Sequence, residues 1–194
     1  MAFFISACMN THPTSNKKVQ RAWVMYDWAN SVYSLVITST IFPVYYNAVT
    51  QGVDGSDKVS FFGWEVVNTV LYSYSISFSF LVIALLAPLL SGIADASGNK
   101  LNFMKFFVYL GSLSCISLYF FTGENLEFGI ICSVLASIGF SGSIVFYNSY
   151  LPEIAKEEEF DMLSAKGFAF GYIGSVILLI INLLMIQQPE WFGM

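Results

Sequence analysis

The chain has 194 residues, of which 56% are hydrophobic and only 11% charged, and its formal net charge is −5. A soluble domain carries about a quarter charged residues, so this composition excludes an ordinary water-solvated globule. Metal-ligand clusters, phosphate-cradling loops and nucleic-acid patches are absent from the sequence, and no cofactor, metal or nucleic-acid partner is expected.

Residues 1–22 read as a tail. "MAFFISAC" is apolar but short, lacks a basic start and is not followed by a small-residue cleavage site, so a secretory signal is not expected here. Beyond it the charges segregate and leave uncharged runs at 28–53, 66–94, 106–123, 128–152 and 167–189. Each reaches the roughly 18 residues that mark a membrane-spanning helix. The expected fold class is therefore an all-α membrane protein with five transmembrane helices at about 23–48, 66–94, 101–122, 128–150 and 168–187. Its direct partner is the lipid bilayer. Lys17, Lys18, Arg21, Lys100, Lys105, Lys156 and Lys166 fall on one face of this arrangement and only Lys58 on the other. The positive-inside rule then makes the tail cytoplasmic, and the plasma (inner) membrane is the expected location. Cys8 falls in the tail, while Cys115 and Cys132 fall inside spans, where they act as small apolar fillers rather than a disulfide framework.

The first span opens on "YDWANSVYS", which places a carboxylate in an otherwise apolar run. Asp27 lies roughly 8 Å into the helix counted from Ala22 at about 1.5 Å per residue. Asn30, Ser31, Ser34 and Thr38 follow at offsets of three, four, seven and eleven, so one helical face is polar for most of its length. Such a stripe faces protein or a wet cavity rather than lipid. Asp27 is either an interhelical hydrogen-bond acceptor near the rim or a substrate or proton contact. Asn30, Ser31 and Ser34 divide in the same way.

In the second span "YSYSISFSF" alternates like a strand, but the 66–94 run is too long for a membrane strand of about 9–11 residues. As a helix it carries Ser73 and Ser77 on one face and Ser75 and Ser79 on a nearly opposite one, which suits a span wedged between neighbours. The linkers are a polar loop at 49–65, tight turns near 95–100 and 123–127, and a charged loop at 153–166. "KEEEFD", Lys156 to Asp161, reads as a solvated face of that last loop. In the fourth span "GFSG", Gly139 to Gly142, fits the serine string of rhomboid intramembrane proteases. That chemistry needs a histidine base, and the only histidine, His12, is in the tail; Ser141 reads better as a small packing residue. No enzyme activity is expected. In the fifth span Gly167, Gly171 and Gly174 line one helix face. That face is a surface for close packing or one that slides, and Ser164 just upstream is a candidate cap.

Several strings carry a family resemblance. "SGIADASGNK" resembles the loop signature of the major facilitator superfamily, with Asp95, Gly98 and Lys100 in place, Ser91 where the first glycine stands, Ala96 at the usual basic position and Asn99 where arginine is common. An aspartate cap and a glycine turn are the physical roles expected there. "YDWANSVYS", "FYNSYLPEIA" and "SAKGFAFGYIGS" together resemble the vacuole-effluxer-like branch of that superfamily, which includes autophagy-related vacuolar amino-acid exporters. The match runs from Trp23 to Leu184.

The resemblance implies a secondary transporter of small solutes, built from about twelve helices in two bundles, with Asp95, Gly98 and Lys100 forming a cytoplasmic latch. The fourth span has no arginine, whereas many proton-coupled facilitators carry one there. The chain ends at "QQPEWFGM", just past the fifth span, and is expected to be the N-terminal part of a transporter bundle, truncated before a sixth span, whose C-terminal half supplies the rest of the solute cavity. A small non-transporting five-helix scaffold is the alternative from another class.

Overall fold

A computed structural model describes residues 16–52 and 55–193. Among the described residues five helices are long and apolar enough to cross a membrane: Lys17–Thr50, Asn68–Ala96, Lys100–Phe120, Leu126–Ile154 and Glu157–Gln187. The expected tail up to residue 15, with Cys8 and His12, and the loop residue Asp54 lie outside the described residues. In chain order the elements are α1 (Lys17–Val32), a π-helical segment (Tyr33–Ile41), α2 (Phe42–Thr50), β1 (Lys58–Phe61), β2 (Trp64–Val67), α3 (Asn68–Ser97), α4 (Lys100–Ser117), α5 (Leu126–Ser149), α6 (Leu151–Ile154) and α7 (Phe160–Gln187), with single 3-10 turns at Leu118–Phe120, Glu157–Glu159 and Pro189–Phe192.

Three boundaries differ from the sequence reading, each for a local reason. Residues 17–22 are helix rather than tail, because the Asn16 side chain accepts the Lys18 N–H at 3.0 Å and caps the start. The last helix begins at Phe160, eight residues before the expected 168, so Ser164 sits inside it and caps nothing. The loop 49–65 is not structureless either. Strands β1 and β2 pair antiparallel, Lys58 with Val67 through Phe61 with Trp64, around a two-residue turn in which Phe62 and Gly63 both take positive φ, 49° and 84°. That is the mirror-image turn geometry favoured by tight hairpins.

The π-helical segment was not foreseen. Ser39 Oγ donates to the Ser34 carbonyl at 2.7 Å and Thr40 Oγ1 to the Leu35 carbonyl at 2.6 Å. Both reach five residues back, as does the Phe42 backbone N–H to Ile37. Hydroxyls that back-bond along a helix compete with the ordinary ladder. Because a π turn needs five residues per hydrogen bond, the chain rotates less per residue here, and a face projected at 100° per residue drifts beyond Tyr33.

The chain divides into two compact units, Met1–Phe42 with Tyr150–Met194, and Pro43–Ser149. In the first, α1 packs along α7, and Gln20 Nε2 donates to the Ile154 carbonyl at 3.2 Å and to Glu159 Oε2 at 3.4 Å. Glu159 also accepts the Lys156 N–H at 3.3 Å, so this member of the "KEEEFD" run organises its own turn while Glu157, Glu158 and Asp161 stay exposed.

In the second unit α5 is the centre, with Cys132, Ala136, Gly139, Gly142 and Phe146 among its buried residues. Small residues allow this approach, since lipid supplies no hydrophobic drive between helices and packing must. A Cβ at Gly139 would stand 2.5 Å from Gly111 Cα on α4, and one at Gly142 would stand 2.5 Å from the Phe107 ring. Phe107 and Phe103 both stack on Phe146, with centroids 5.9 and 5.6 Å apart. The glycines of "GFSG" are thus helix-contact residues.

The other flank of α5 meets α3, where Ser79 is fully buried and its Oγ donates to Ser75 at 2.8 Å and to the Val134 carbonyl at 3.4 Å. The expectation that α3 is covered on two faces needs correction. Ser73 and Ser77 are exposed, and their hydroxyls turn back to the Thr69 and Ser73 carbonyls at 2.8 and 2.9 Å. At the end of this unit where α2 stops and α3 starts, Asn68 is completely buried. Its amide donates to Asn47 Oδ1 and Thr50 Oγ1, each at 3.0 Å, while its Oδ1 accepts the Thr69 N–H at 2.6 Å. Tyr46 donates to its carbonyl at 3.1 Å. The network leaves no amide atom of Asn68 unpaired, as a buried polar group in an apolar setting requires.

Candidate functional site

The polar face of the first span lies against the glycine face of the last helix within the first unit. Asp27 is 8% exposed despite its charge. Its Oδ1 accepts a hydrogen bond from Ser31 Oγ at 2.8 Å, one turn along α1, which is the i,i+4 spacing that brings two side chains together. Opposite them stands Gly171. A Cβ there would come within 2.6 Å of Ser31 Oγ, 3.0 Å of Ser31 Cβ and 3.2 Å of Asp27 Cγ, so the carboxylate and hydroxyl occupy the space that a side chain at 171 would fill. Three residues on, Gly174 does the same for an aromatic ring: its Cβ would stand 2.7 Å from Trp28 Cδ1 and 2.8 Å from Nε1. Trp28 also meets Phe170 at a 6.0 Å centroid distance. Ser175, nearly fully buried, donates its hydroxyl to the Gly171 carbonyl at 2.8 Å. Gly167 is buried one turn earlier in the same helix.

The four residues singled out on the first span therefore separate. Asp27 and Ser31 are held in the α1–α7 contact. Asn30 is half-buried and Ser34 exposed, its Oγ donating to the Ser31 carbonyl at 3.0 Å. Further along, the π segment from Tyr33 to Ile41 turns Thr38 off the line that a fixed α-helical period projects. The sequence carried a signal for that segment in the hydroxyl cluster Ser34, Thr38, Ser39 and Thr40, which counting at a fixed helical period ignores.

The loop residues belong to the second unit. Gly98 closes α3 at φ 65°, with its N–H directed to the Ala94 and Asp95 carbonyls, a left-handed terminator that glycine adopts without a Cβ penalty. Asp95 does not act as a cap. It sits in the last turn of α3, where its carboxylate opposes the negative end of the helix dipole, and it binds Lys100 Nζ at 2.8 Å. Lys100, at the positive end of α4, is equally misplaced by itself; the pair neutralises both faults and fastens the turn. With the carboxylate 60% exposed, such a bridge contributes about 0–1 kcal/mol. The serine of the protease-like string, Ser141, lies in mid-α5, and its hydroxyl makes no hydrogen bond among the described residues. No group of three or more His, Cys, Asp or Glu among the described residues is placed to hold a metal.

Comparison with known proteins gives this arrangement its context. The profile of the family described as "Vacuole effluxer Atg22 like" matches residues 15–192. An uncharacterized MFS-type transporter of Bacillus subtilis, YxiO, is 37% identical over 175 residues, covering 89% of this chain and 39% of its own length. Autophagy-related protein 22 of Gibberella zeae is 26% identical over 167 residues, 76% of this chain and 25% of its own. An uncharacterized protein of Aquifex aeolicus is 27% identical over 172 residues, 89% of this chain and 40% of its own. No solved structure matches. The chain thus spans well under half the length of these relatives, the first of which carries a transporter's name and not an enzyme's. From the family profile, the identity to the bacterial transporter and the five apolar helices, the chain is an integral membrane protein of the vacuole effluxer Atg22-like family, within the major facilitator superfamily.

Proposed function

We propose that this chain forms most of the N-terminal bundle of a secondary transporter that moves small polar solutes, amino acids among them, by alternating access. A second bundle, corresponding to the C-terminal part of the longer relatives, completes the solute cavity. The observation that carries this reading is the polar face of the first span, in a chain related to a transporter. A carboxylate inside a span costs about 2.5–3.5 kcal/mol at the centre on insertion scales, and a helix retains it where it acts or is held. Asn30 and Ser34 meet the solute, while Asp27 and Ser31 form the floor of the path against α7. Asp95, Gly98 and Lys100 form the cytoplasmic latch. By the positive-inside rule the linkers that carry the basic residues are cytoplasmic, which supports a cytoplasmic N-terminus and fits a plasma (inner) membrane. The close α1–α7 contact through Gly171 and Gly174 serves packing first, and a small-residue surface also lets two helices slide during alternation.

The test is uptake of labelled amino acids into proteoliposomes holding the full-length transporter. Asp27→Asn keeps an acceptor for Ser31 and removes the charge. Uptake should fall at least about tenfold, the scale of one lost charge-assisted contact, and Asn30→Ala and Ser34→Ala should weaken substrate affinity. Uptake and pH dependence unchanged in Asp27→Asn would leave Asp27 a purely structural group and remove it from the solute path.

A further inference from the structure

The β1–β2 hairpin is unexplained by transport, and its pattern is specific. The register places Val59, Phe61, Trp64 and Val66 on one face and Lys58, Ser60, Glu65 and Val67 on the other, because strand residues alternate sides. One face is wholly apolar and the other largely polar. At the tip this polarity goes to an extreme: Phe62 is 67% exposed and Trp64 76% exposed. The turn position that Phe62 occupies, at φ 49°, is one that a bulky side chain rarely adopts, and hairpins normally place asparagine, aspartate or glycine there. A hairpin in water gains nothing from a phenylalanine at its most protruding, most strained position.

One hydrogen bond relates its height to the helices. The Phe62 N–H donates to Glu127 Oε1 at 3.3 Å, and Glu127 lies in the first turn of α5. The tip is therefore tied down to the level at which a span begins, rather than reaching out into solvent. The same end of this unit carries Tyr119 and Phe120, both strongly exposed, in the 3-10 turn after α4. Exposed aromatic rings at the level where spans end are the composition of a membrane–water interface, where an indole sits with its ring in the apolar layer and its N–H in the headgroups.

We propose that the hairpin is an interfacial anchor, seating Phe62 and Trp64 in the headgroup–acyl boundary of the bilayer that the helices span. On its apolar face Val59, Phe61 and Val66 are half-buried and Trp64 stands free to enter the bilayer, while its polar face meets water and headgroups. The Glu127 contact holds the ring-bearing turn at that depth, and the anchor fixes the connection between the first two spans relative to the membrane.

The test uses tryptophan fluorescence of the protein reconstituted in phospholipid vesicles. The chain has four tryptophans, and the Trp64 contribution is read as the difference between the native protein and W64F. With lipids brominated near the top of the acyl chains, that component should lose most of its emission, while aqueous iodide should leave it nearly unchanged. Quenching by iodide and not by brominated lipid would overturn the proposal, and so would protection from both, which would assign the hairpin to a protein contact. Phe62→Asp supplies a second arm. Aspartate suits the positive φ, so a hairpin in water would be stabilised and Trp64 left as it was. An anchored hairpin must lift, and the Trp64 component should become iodide-accessible. An unchanged Trp64 signal in Phe62→Asp refutes the anchor.

Discussion

Replacing Gly171 with alanine tests whether the glycine face of the last helix exists to admit the Asp27–Ser31 pair. The new methyl would stand 2.6 Å from Ser31 Oγ, 3.0 Å from Ser31 Cβ and 3.2 Å from Asp27 Cγ. Neither side chain can yield cheaply. Ser31 is bound to Asp27 at 2.8 Å, and Asp27 is already buried. The helices must separate or the hydrogen bond must break, and overpacking of this kind costs about 1–3 kcal/mol. Ser31→Ala removes the 2.6 Å contact but leaves the 3.0 Å one. Alone it should destabilise by about 1 kcal/mol, through the lost donor to a buried carboxylate. Combined with Gly171→Ala it should recover part of the strain. The two changes should therefore be non-additive, with a favourable coupling of about 0.5–2 kcal/mol, as expected for residues in contact. Reversible unfolding in mixed micelles, followed by tryptophan fluorescence, measures all four corners of the cycle. A Gly171→Ala variant within about 0.5 kcal/mol of the parent, or strict additivity in the double variant, would mean that the α1–α7 contact is not built as described.

Gly139→Ala should be worse, at or above about 3 kcal/mol, because its methyl meets the Gly111 backbone rather than a side chain that can rotate; the same unfolding assay reads it. Asn68→Ala removes both donors to Asn47 and Thr50 and the acceptor for Thr69, and a loss of about 2–3 kcal/mol is expected for a buried network left partly unpaired. No measurable loss would show that water satisfies the site. Gly98→Ala meets no atom within 4 Å, so its expected cost of about 1–2 kcal/mol is backbone strain alone, and Gly98→Asn should recover much of it. Lys100→Ala should cost under about 1 kcal/mol, less still in high salt, since the Asp95 bridge is exposed.

The all-α membrane class, five apolar helices and the family were legible in the chain itself. Each depends on composition and short-range pattern: uncharged runs long enough to span, charges gathered between them, and strings such as "SAKGFAFGYIGS". The chain also showed that Gly167, Gly171 and Gly174 share a face, since that follows from helical period alone. What they face was not legible. Asp27 and Ser31 lie opposite Gly171 across about 140 residues of chain, and no local rule pairs them; the helices must first be packed. For the same reason "GFSG" could be read as a nucleophile string until Gly139 met Gly111 and Gly142 met Phe107.

The π segment was hidden for a different reason. Counting at a fixed period assumes the ladder that hydroxyls at Ser39 and Thr40 displace, so the polar stripe extrapolated from Asp27 to Thr38 bends away at Tyr33. The hairpin escaped because four-residue strands carry too few positions for an alternation to stand out from a polar loop. Only their pairing, and the reach of Phe62 to Glu127 on another helix, gave the segment its two faces. Composition selects the solvent and the element type because those act on each residue separately. Contact between distant helices depends on how all their side-chain shapes fit at once, and that fit appears only when the chain is folded.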